Sequence, residues 1–516
     1  MTPRIPPKNA SVFSPGNVIR LEFPAQGYVN PSKTTLEFDV QLLYTPTNTE
    51  TSAIRFQNNI QSCFSRVRLL YGATPLEDIP SYNVIVRALT EWTGADQLGA
   101  DQTSITDGIG GISPTFSGAT ITATNGTGTG LPILGNVRQK SIHGIDTRCT
   151  ASDVGTATGF GVVPNGPTPI TLASKSAITG TNPTRRYQVQ LALGLFAQEK
   201  LIPTKFMASQ LAIEITLANV NECIYAVTAG TPSTTLPTYQ VSNVNLIPEI
   251  LEFDASYDES FLRGLQQGGV PIKFSTWNNY RFSNGASSVA NLQIQERSRS
   301  VKAIFCLQRR EAPLLTSDSG SFFFNTDTTT LDGASTLQDY QYRIGGRYFP
   351  AAPVQNSLTV GANIPNGGCE SYVELAKAIN TLGDYRLSTS ANSTRWALNP
   401  GAATFTTGVA HTALPEFDFD QGLLGFKASG APVLRTIPTT TSAISGDVGS
   451  ACFGMAIDLE TSNGLEISGL NAEEQSDISL IARFSAAQGS GFSYDVFTHI
   501  DSMIVLKENN VLELIQ

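Results

Sequence analysis

One stretch of this chain occurs twice. Ser81–Trp92 (SYNVIVRALTEW) has a diverged copy at Ser371–Leu382 (SYVELAKAINTL), 290 positions downstream. Ser-Tyr opens both copies. Ile85 matches Leu375, Arg87 matches Lys377, Ala88 matches Ala378, Leu89 matches Ile379, and Trp92 matches Leu382. The approaches also correspond: Arg68, Gly72 and Pro75 precede the first copy, and Arg343, Gly345 and Pro350 the second. A repeat of this spacing is too long for a solenoid, so one domain plan is used twice. At 516 residues the chain has room for two large β domains.

The plan reads as β because the dominant hydrophobic period is two. Leu36, Phe38, Val40, Leu42 and Tyr44 alternate with polar residues. So do Leu211, Ile213, Ile215 and Leu217, and Phe453, Met455, Ile457 and Leu459. Tyr187, Val189, Leu191, Leu193 and Leu195 continue the pattern. Such a period puts one set of side chains on a core and the other towards solvent or a neighbour. Met503–Leu506 and Val511–Ile515, joined through Asn509-Asn510, predict a terminal hairpin.

Helical patterns are few. Ser81 is placed to cap a helix with Tyr82, Ile85, Leu89 and Trp92 on one face, and Ser371 one with Tyr372, Leu375, Ile379 and Leu382. The expected core residues of the two helices are therefore Ile85, Leu89, Trp92, Leu375, Ile379 and Leu382. A third helix, Ser256–Gln267, is stopped by Gly268-Gly269 and reads as the joint between halves. The expected organisation is an N-terminal unit at 1–253, a linker helix at 254–269 and a C-terminal unit at 270–516. A long Gly/Thr-rich insertion lies at about 94–184 of the first unit, and smaller insertions are read at Asn325–Ser335 and Pro415–Gly430.

Only 15% of residues are charged, below the usual quarter, and the net charge is −10. An acidic surface of this kind does not bind nucleic acid through its bulk. A Pro-rich start, MTPRIPPKNA, places Arg4 and Lys8 either in a loose terminus or in a small basic arm. The basic spots Arg66/Arg68, Arg185-Arg186, Arg297/Arg299/Lys302 and Arg309-Arg310 either face nucleic acid or pair with acids across a subunit contact, and pairing is favoured. Six widely spaced cysteines without a CxxC pair fit a reducing site of synthesis. No signal peptide is read at the start, no apolar run is long enough for a membrane helix, and the Asn9, Asn125 and Asn392 glycosylation patterns read as chance.

Catalytic patterns are missing. His143, His411 and His499 are far apart and outside any close metal spacing. The run Gly126, Gly128, Gly130 lacks the third glycine and the strand–helix setting of a dinucleotide loop. Glu416, Asp418 and Asp420 read as the acidic outer face of a strand, and Glu473-Glu474 with Asp477 as a solvated loop. No enzyme, metal or cofactor is expected.

Several blocks, taken in order, carry a resemblance. FSPGNVIRLEFPAQGYVNPSKTTLEFDV and IRFQNNIQSCFSRVRLLYGATPLEDI open the chain, and EILEFDASYDESFLRGLQQGGVPIKFSTW joins its halves. YRIGGRYFPAAPV, LAKAINTLGD and FGMAIDLETSNGLEISGL follow. The chain resembles the double jelly-roll major capsid proteins of polinton-like viruses and their adintovirus and virophage relatives, with adenovirus hexon more distant. The 94–184 region departs most from that family. The resemblance implies an all-β fold of two tandem eight-stranded jelly-roll β-sandwiches with a few short helices. It implies a homotrimeric, pseudo-hexameric capsomer that tiles an icosahedral virion shell around double-stranded DNA. Its implied partners are neighbouring capsomers, penton and minor or cement proteins, with at most weak non-specific contact with DNA. Arg4 and Lys8 would then lie on the shell's inner face. The alternative is a β-sandwich surface or carbohydrate-binding protein, which would need a secretion route.

Overall fold

The computed structural model describes residues 1–43, 51–56, 60–93, 184–228, 238–285, 287–310, 337–356, 369–380, 453–460, 468–473, 477–485, 492–507 and 512–516, with a few shorter pieces. Eight strands build the two main sheets of the first half: β1 (Val12–Phe13), β2 (Val18–Glu22), β3 (Tyr28–Leu43), β4 (Phe64–Tyr71), β5 (Thr74–Pro80), β6 (Thr184–Val189), β7 (Leu211–Leu217) and β8 (Thr238–Leu251). Eight more come from the second: β9 (Val270–Asn284), β10 (Val289–Ile294), β11 (Val301–Arg310), β12 (Leu337–Ile344), β13 (Arg347–Gln355), β14 (Met455–Asp458), β15 (Ile478–Phe484) and β16 (Phe492–Leu506).

The main sheets of the two halves are wired identically, and the first half adds a small three-stranded sheet of Thr51–Phe56, Ile224–Thr228 and Thr231–Pro232. The first forms sheets β1-β8-β3-β6 and β2-β7-β4-β5; the second forms β9-β16-β11-β14 and β10-β15-β12-β13. Adding eight to every strand of the first pair gives the second pair. All ladders in these sheets are antiparallel. Each half is thus a two-sheet sandwich whose inner faces bury the alternating apolar set, among them Leu36, Phe38, Val40, Leu211, Ile213, Ile215, Met455 and Ile457. Leu512–Ile515 adds to β16, with Met503 opposite Ile515, as the expected terminal hairpin.

The repeated segment occupies the same place in each half. Helix α1 (Tyr82–Thr93) follows β5, and α3 (Cys369–Ala378) follows β13. Between the halves, α2 (Ala255–Gln266) is capped by the Asp254 carboxylate, which accepts from Tyr257 N–H. Gly268 and Gly269, both at positive φ, end it. Tyr28 pins α2 to the first sandwich: its ring meets Phe253, Tyr257 and Phe261 edge-on, and its hydroxyl donates to Asp258 at 2.9 Å.

Some local expectations are corrected. Ser81 does not cap α1 through its side chain. It sits at φ 52 and its hydroxyl points to Asp495, while its carbonyl starts the helix. Ser371 lies inside α3, and its hydroxyl donates to Asn356 at 2.6 Å. The run from Tyr187 to Leu195 is one strand only as far as Val189; Gly194–Ala197 is a helical turn, although all five apolar residues are buried. Leu382, Gly383, His143, His411, Cys149, Cys452, Glu416, Asp418, Asp420, Glu474 and both smaller insertions lie outside the described residues. So do Gly126, Gly128 and the 94–184 region, apart from the pairs Thr124–Asn125 and Thr129–Gly130 and from Thr184, the first residue of β6.

Antiparallel wiring fixes which connections share an end. Those after β1, β3, β5 and β7 leave one end of the first sandwich; those after β2, β4 and β6 leave the other. The same holds for the second sandwich. The long connections containing 94–183, 311–336 and 381–452 therefore all join strands at the same kind of end. The opposite end carries tight connections such as Gly72 between β4 and β5 and Gly345-Gly346 between β12 and β13.

Candidate functional site

The seam between the sandwiches is the most constructed place in the molecule. Edge strand β5 of the first lies against edge strand β9 of the second, yet the two share no ladder. Glu77 of β5 is buried at 1% exposure. Its carboxylate accepts the N–H groups of Gly194 and Leu195 and the hydroxyl of Thr276, each at 2.8 Å. One acid thus joins a strand and a helical turn of the first sandwich to β9 of the second. Neutral donors do not offset the lost hydration, and burial pushes the Glu77 carboxyl up to about 7. Gly194 is needed for the approach, because a Cβ there would overlap the carbonyl oxygen of Ser275. Higher up, Ser81 at the end of β5 donates to Asp495 at the start of β16 at 3.3 Å. The two sandwiches therefore stand side by side with their long-connection ends pointing the same way.

Helix α1 extends the seam. Trp92 is fully buried and stacks on Phe305 of β11 at 5.3 Å between centroids. Phe305 meets Trp277 at 5.5 Å, and Trp277 stacks on His499 at 4.4 Å. Burial lowers the His499 pKa to about 4, so the ring is a neutral packing element. A Cβ on Gly454 would lie 2.7 Å from the Trp92 ring. Register puts Trp277, His499, Phe305 and Phe497 on one face of their sheet, where Trp92 of the first half packs on Phe305. The matching face of β1-β8-β3-β6 is polar. There Arg186 binds Asp39 at 2.6 Å and holds its carboxyl below the usual range, and Asn243 donates to the same carboxylate. Glu37 lies beside them within reach of Arg4 and Arg186.

The expected helix-core residues divide accordingly. Ile85 and Leu375 are buried in their own halves, and Leu89 and Ile379 are partly buried against the core. Ile379 falls just past the end of α3. Trp92 is expected to anchor α1 to its own sandwich; instead its ring stacks on the other one. Tyr82 does the home anchoring, donating to Gln61 and accepting from Ala192 N–H, each at 2.7 Å.

The N-terminal segment is not loose. Met1 donates to the Ile250 carbonyl, Ile5 bridges to Leu246 and Lys8 N–H donates to Arg20. It seals the edge between β8 and β2. Arg4 and Lys8 remain mostly exposed and pair loosely with Glu37 and Glu22. The basic spots at Arg66/Arg68, Arg186 and Arg299/Lys302 pair inside the chain, and the side chains of Arg309 and Arg310 lie outside the described residues. Arg66 binds Asp78, Arg68 binds Glu214, Arg299 binds Glu473, Arg343 binds Asp477, and Lys302 reaches Glu460 and Asp501.

Among the described residues no group of three or more His, Cys, Asp or Glu could hold a metal ion, and no helix is long and apolar enough to cross a membrane. Sequence reasoning missed Glu77 and Gly194. Both sit in ordinary contexts, TPLEDIP and LALGLF, where nothing marks a buried carboxylate or a close approach.

The wiring decides the architecture. The fold is a double jelly roll. The double jelly roll solved as the PBCV-1 protein VP54, fitted into a reconstruction of the virophage Sputnik, superposes with TM-score 0.50 at 9% identity, covering 100% of this chain and 95% of that one. The mavirus major capsid protein gives 0.49 at 10% identity, with 99% and 89% covered. No protein-family description and no curated protein matches the sequence.

Proposed function

We propose that this chain is the major capsid protein of a double-stranded DNA virus, located in the virion and without catalytic activity. The observation that carries the reading is the seam. Two identically wired sandwiches are locked in parallel by Glu77 and Trp92 into one rigid tile. Three tiles would form a homotrimer of six sandwiches, pseudo-hexameric in outline, that packs laterally into an icosahedral shell. Units 1–253 and 270–516 would be the two sandwiches, with 254–269 as their joint. The end bearing the long connections would face outward, because insertions there leave the sandwich undisturbed. The opposite end, with the N-terminus, Arg4 and Lys8, would face the genome with at most weak non-specific contact. Neighbouring capsomers, penton and minor capsid proteins would be the partners. Electron micrographs of the purified protein test this. Triangular or hexagonal blocks with a mass of three times 55.1 kDa are expected, and a protein that stays monomeric at high concentration would overturn it.

A further inference from the structure

Two connections of the first half fold together into the small three-stranded sheet. The chain between β3 and β4 supplies Thr51–Phe56, and the chain between β7 and β8 supplies Ile224–Thr228 and Thr231–Pro232. Phe56 stands opposite Ile224. The small sheet therefore extends the first sandwich at its long-connection end. Two single helical turns form its root: Ile60–Cys63, which leads into β4, and Val220–Cys223, which leads into Ile224. Each turn ends in a cysteine. Of the other described cysteines, Cys306 belongs to the second sandwich and Cys369 is exposed at the start of α3.

The root is closely packed. Cys63 and Cys223 are both fully buried. The Cys63 carbonyl accepts the Ala218 N–H at 2.7 Å, which ties the two segments by their backbones. Cys223 Sγ turns back to the Asn219 carbonyl at 3.4 Å, towards Ala218. The Tyr239 hydroxyl of β8 fills the space between: it donates to the Ala218 carbonyl at 2.6 Å, lies 3.4 Å from the Cys63 carbonyl and is within hydrogen-bonding reach of the Cys223 thiol. The Cys63 sulfur is near enough that its charge would push the Cys223 thiol up. As apolar filler either residue serves alone. Two thiols meeting where distant segments join can do more.

We propose that Cys63 and Cys223 form a redox site, a dithiol that closes into a disulfide and staples the root of the small sheet. A low-molecular-mass disulfide is the oxidant. The thiolate of one cysteine attacks it, and one small thiol leaves as a mixed disulfide forms. The second cysteine then attacks the protein sulfur of that mixed disulfide, and the second small thiol leaves. One S–S bond breaks in the oxidant and one forms in the protein, and two electrons and both thiol protons pass to the released thiols. Burial keeps both thiols protonated and out of reach, so exchange waits for the root to open. A reducing medium keeps the pair open and an oxidising one closes it. Closure links two connections otherwise joined by backbone pairing, so it acts first on the small sheet.

The folded full-length protein, reduced and then held with oxidised glutathione, tests this. Peptide mapping without reduction is expected to find Cys63 joined to Cys223, the linked pair lighter by two hydrogens than its separate parts. Amide hydrogen exchange at Ile224–Thr228 is expected to slow at least about tenfold on oxidation, and both changes should reverse with reductant. Thiols that stay free in the folded protein would overturn the site. So would Cys63 or Cys223 ending on glutathione or on another cysteine. A linked pair without slower exchange would overturn the staple. Equal slowing in Cys223→Ala on oxidation would also overturn it, because the protection would then arise elsewhere.

Discussion

Strands β5 and β13 arise from the same position of a duplicated plan, yet one holds a buried carboxylate and the other carries no charge from its second residue to its last. The faces they meet differ in the opposite sense. The sheet covered by α1 is aromatic, whereas its counterpart in the first sandwich is an ion-pair lattice around Asp39 and Arg186. Duplication preserved the wiring and released the outer surfaces. One seam became a permanent core. The equivalent surfaces carry an ion-pair lattice and an uncharged edge instead.

The sharpest way to break this comparison is to remove Trp92. Trp92→Ala is expected to cost about 3–5 kcal/mol in urea unfolding, since the ring is fully buried. Because Trp92 stacks on Phe305, the loss should couple to the other sandwich. A double-mutant cycle between Trp92→Leu and Phe305→Leu should return about 0.5–1.5 kcal/mol of interaction energy. Zero coupling would mean that the sandwiches touch without supporting each other.

Glu77 gives a pH signature that β13 lacks. The folded state holds its proton up to about 7, whereas an unfolded chain releases it near 4.5. Between those values the folded state binds more protons, so stability falls as pH rises, by about 3 kcal/mol in all. Glu77→Gln removes the titrating group at the cost of one acceptor, since the Gly194 and Leu195 N–H groups bond to different carboxylate oxygens. The stability difference between wild type and variant should therefore change through that window and level off above it. Subtracting the variant also removes Asp39 and Glu296, whose lowered pKa values act at acid pH with the opposite sign. A difference that stays flat from pH 4 to 8 would show that Glu77 titrates alike in the folded and unfolded chain.

Gly194→Ala probes the same seam through sterics alone. The added methyl meets the Ser275 backbone, and about 1–3 kcal/mol of destabilisation is expected from thermal melts. A stable variant would place the seam further apart than Glu77 requires.

Much of the architecture was legible because it rests on periodicity. The Leu211–Leu217 alternation became β7 with each of its apolar residues buried, and the 81/371 repeat marked the same connection in both halves. What failed was context. Alternation through Leu195 continued past the strand's end because burial on both sides of a turn mimics a strand. In TPLEDIP, Glu77 and Asp78 look alike, and only the partner sheet decides that one is sealed and the other pairs with Arg66. Ser81 and Ser371 looked like caps, but caps are local, and distant groups took both hydroxyls: Asp495 and Asn356. Seam residues are chosen by a surface far away in sequence, so no local pattern records them.

The smallest expected effect falls on the open side of the comparison. Tyr348 is 49% exposed on β13. Within a single chain Tyr348→Ala should shift stability by no more than about 0.5 kcal/mol, as for ordinary surface positions. Melts of dilute, dissociated protein measure this. The same substitution should lower the melting temperature more as the wild type becomes concentrated and associates, because only the associated form covers the ring. A loss that is large and independent of concentration would mean that another part of the same chain covers β13. The two edges would then be alike after all: each closed from within, with no surface left over for a neighbour.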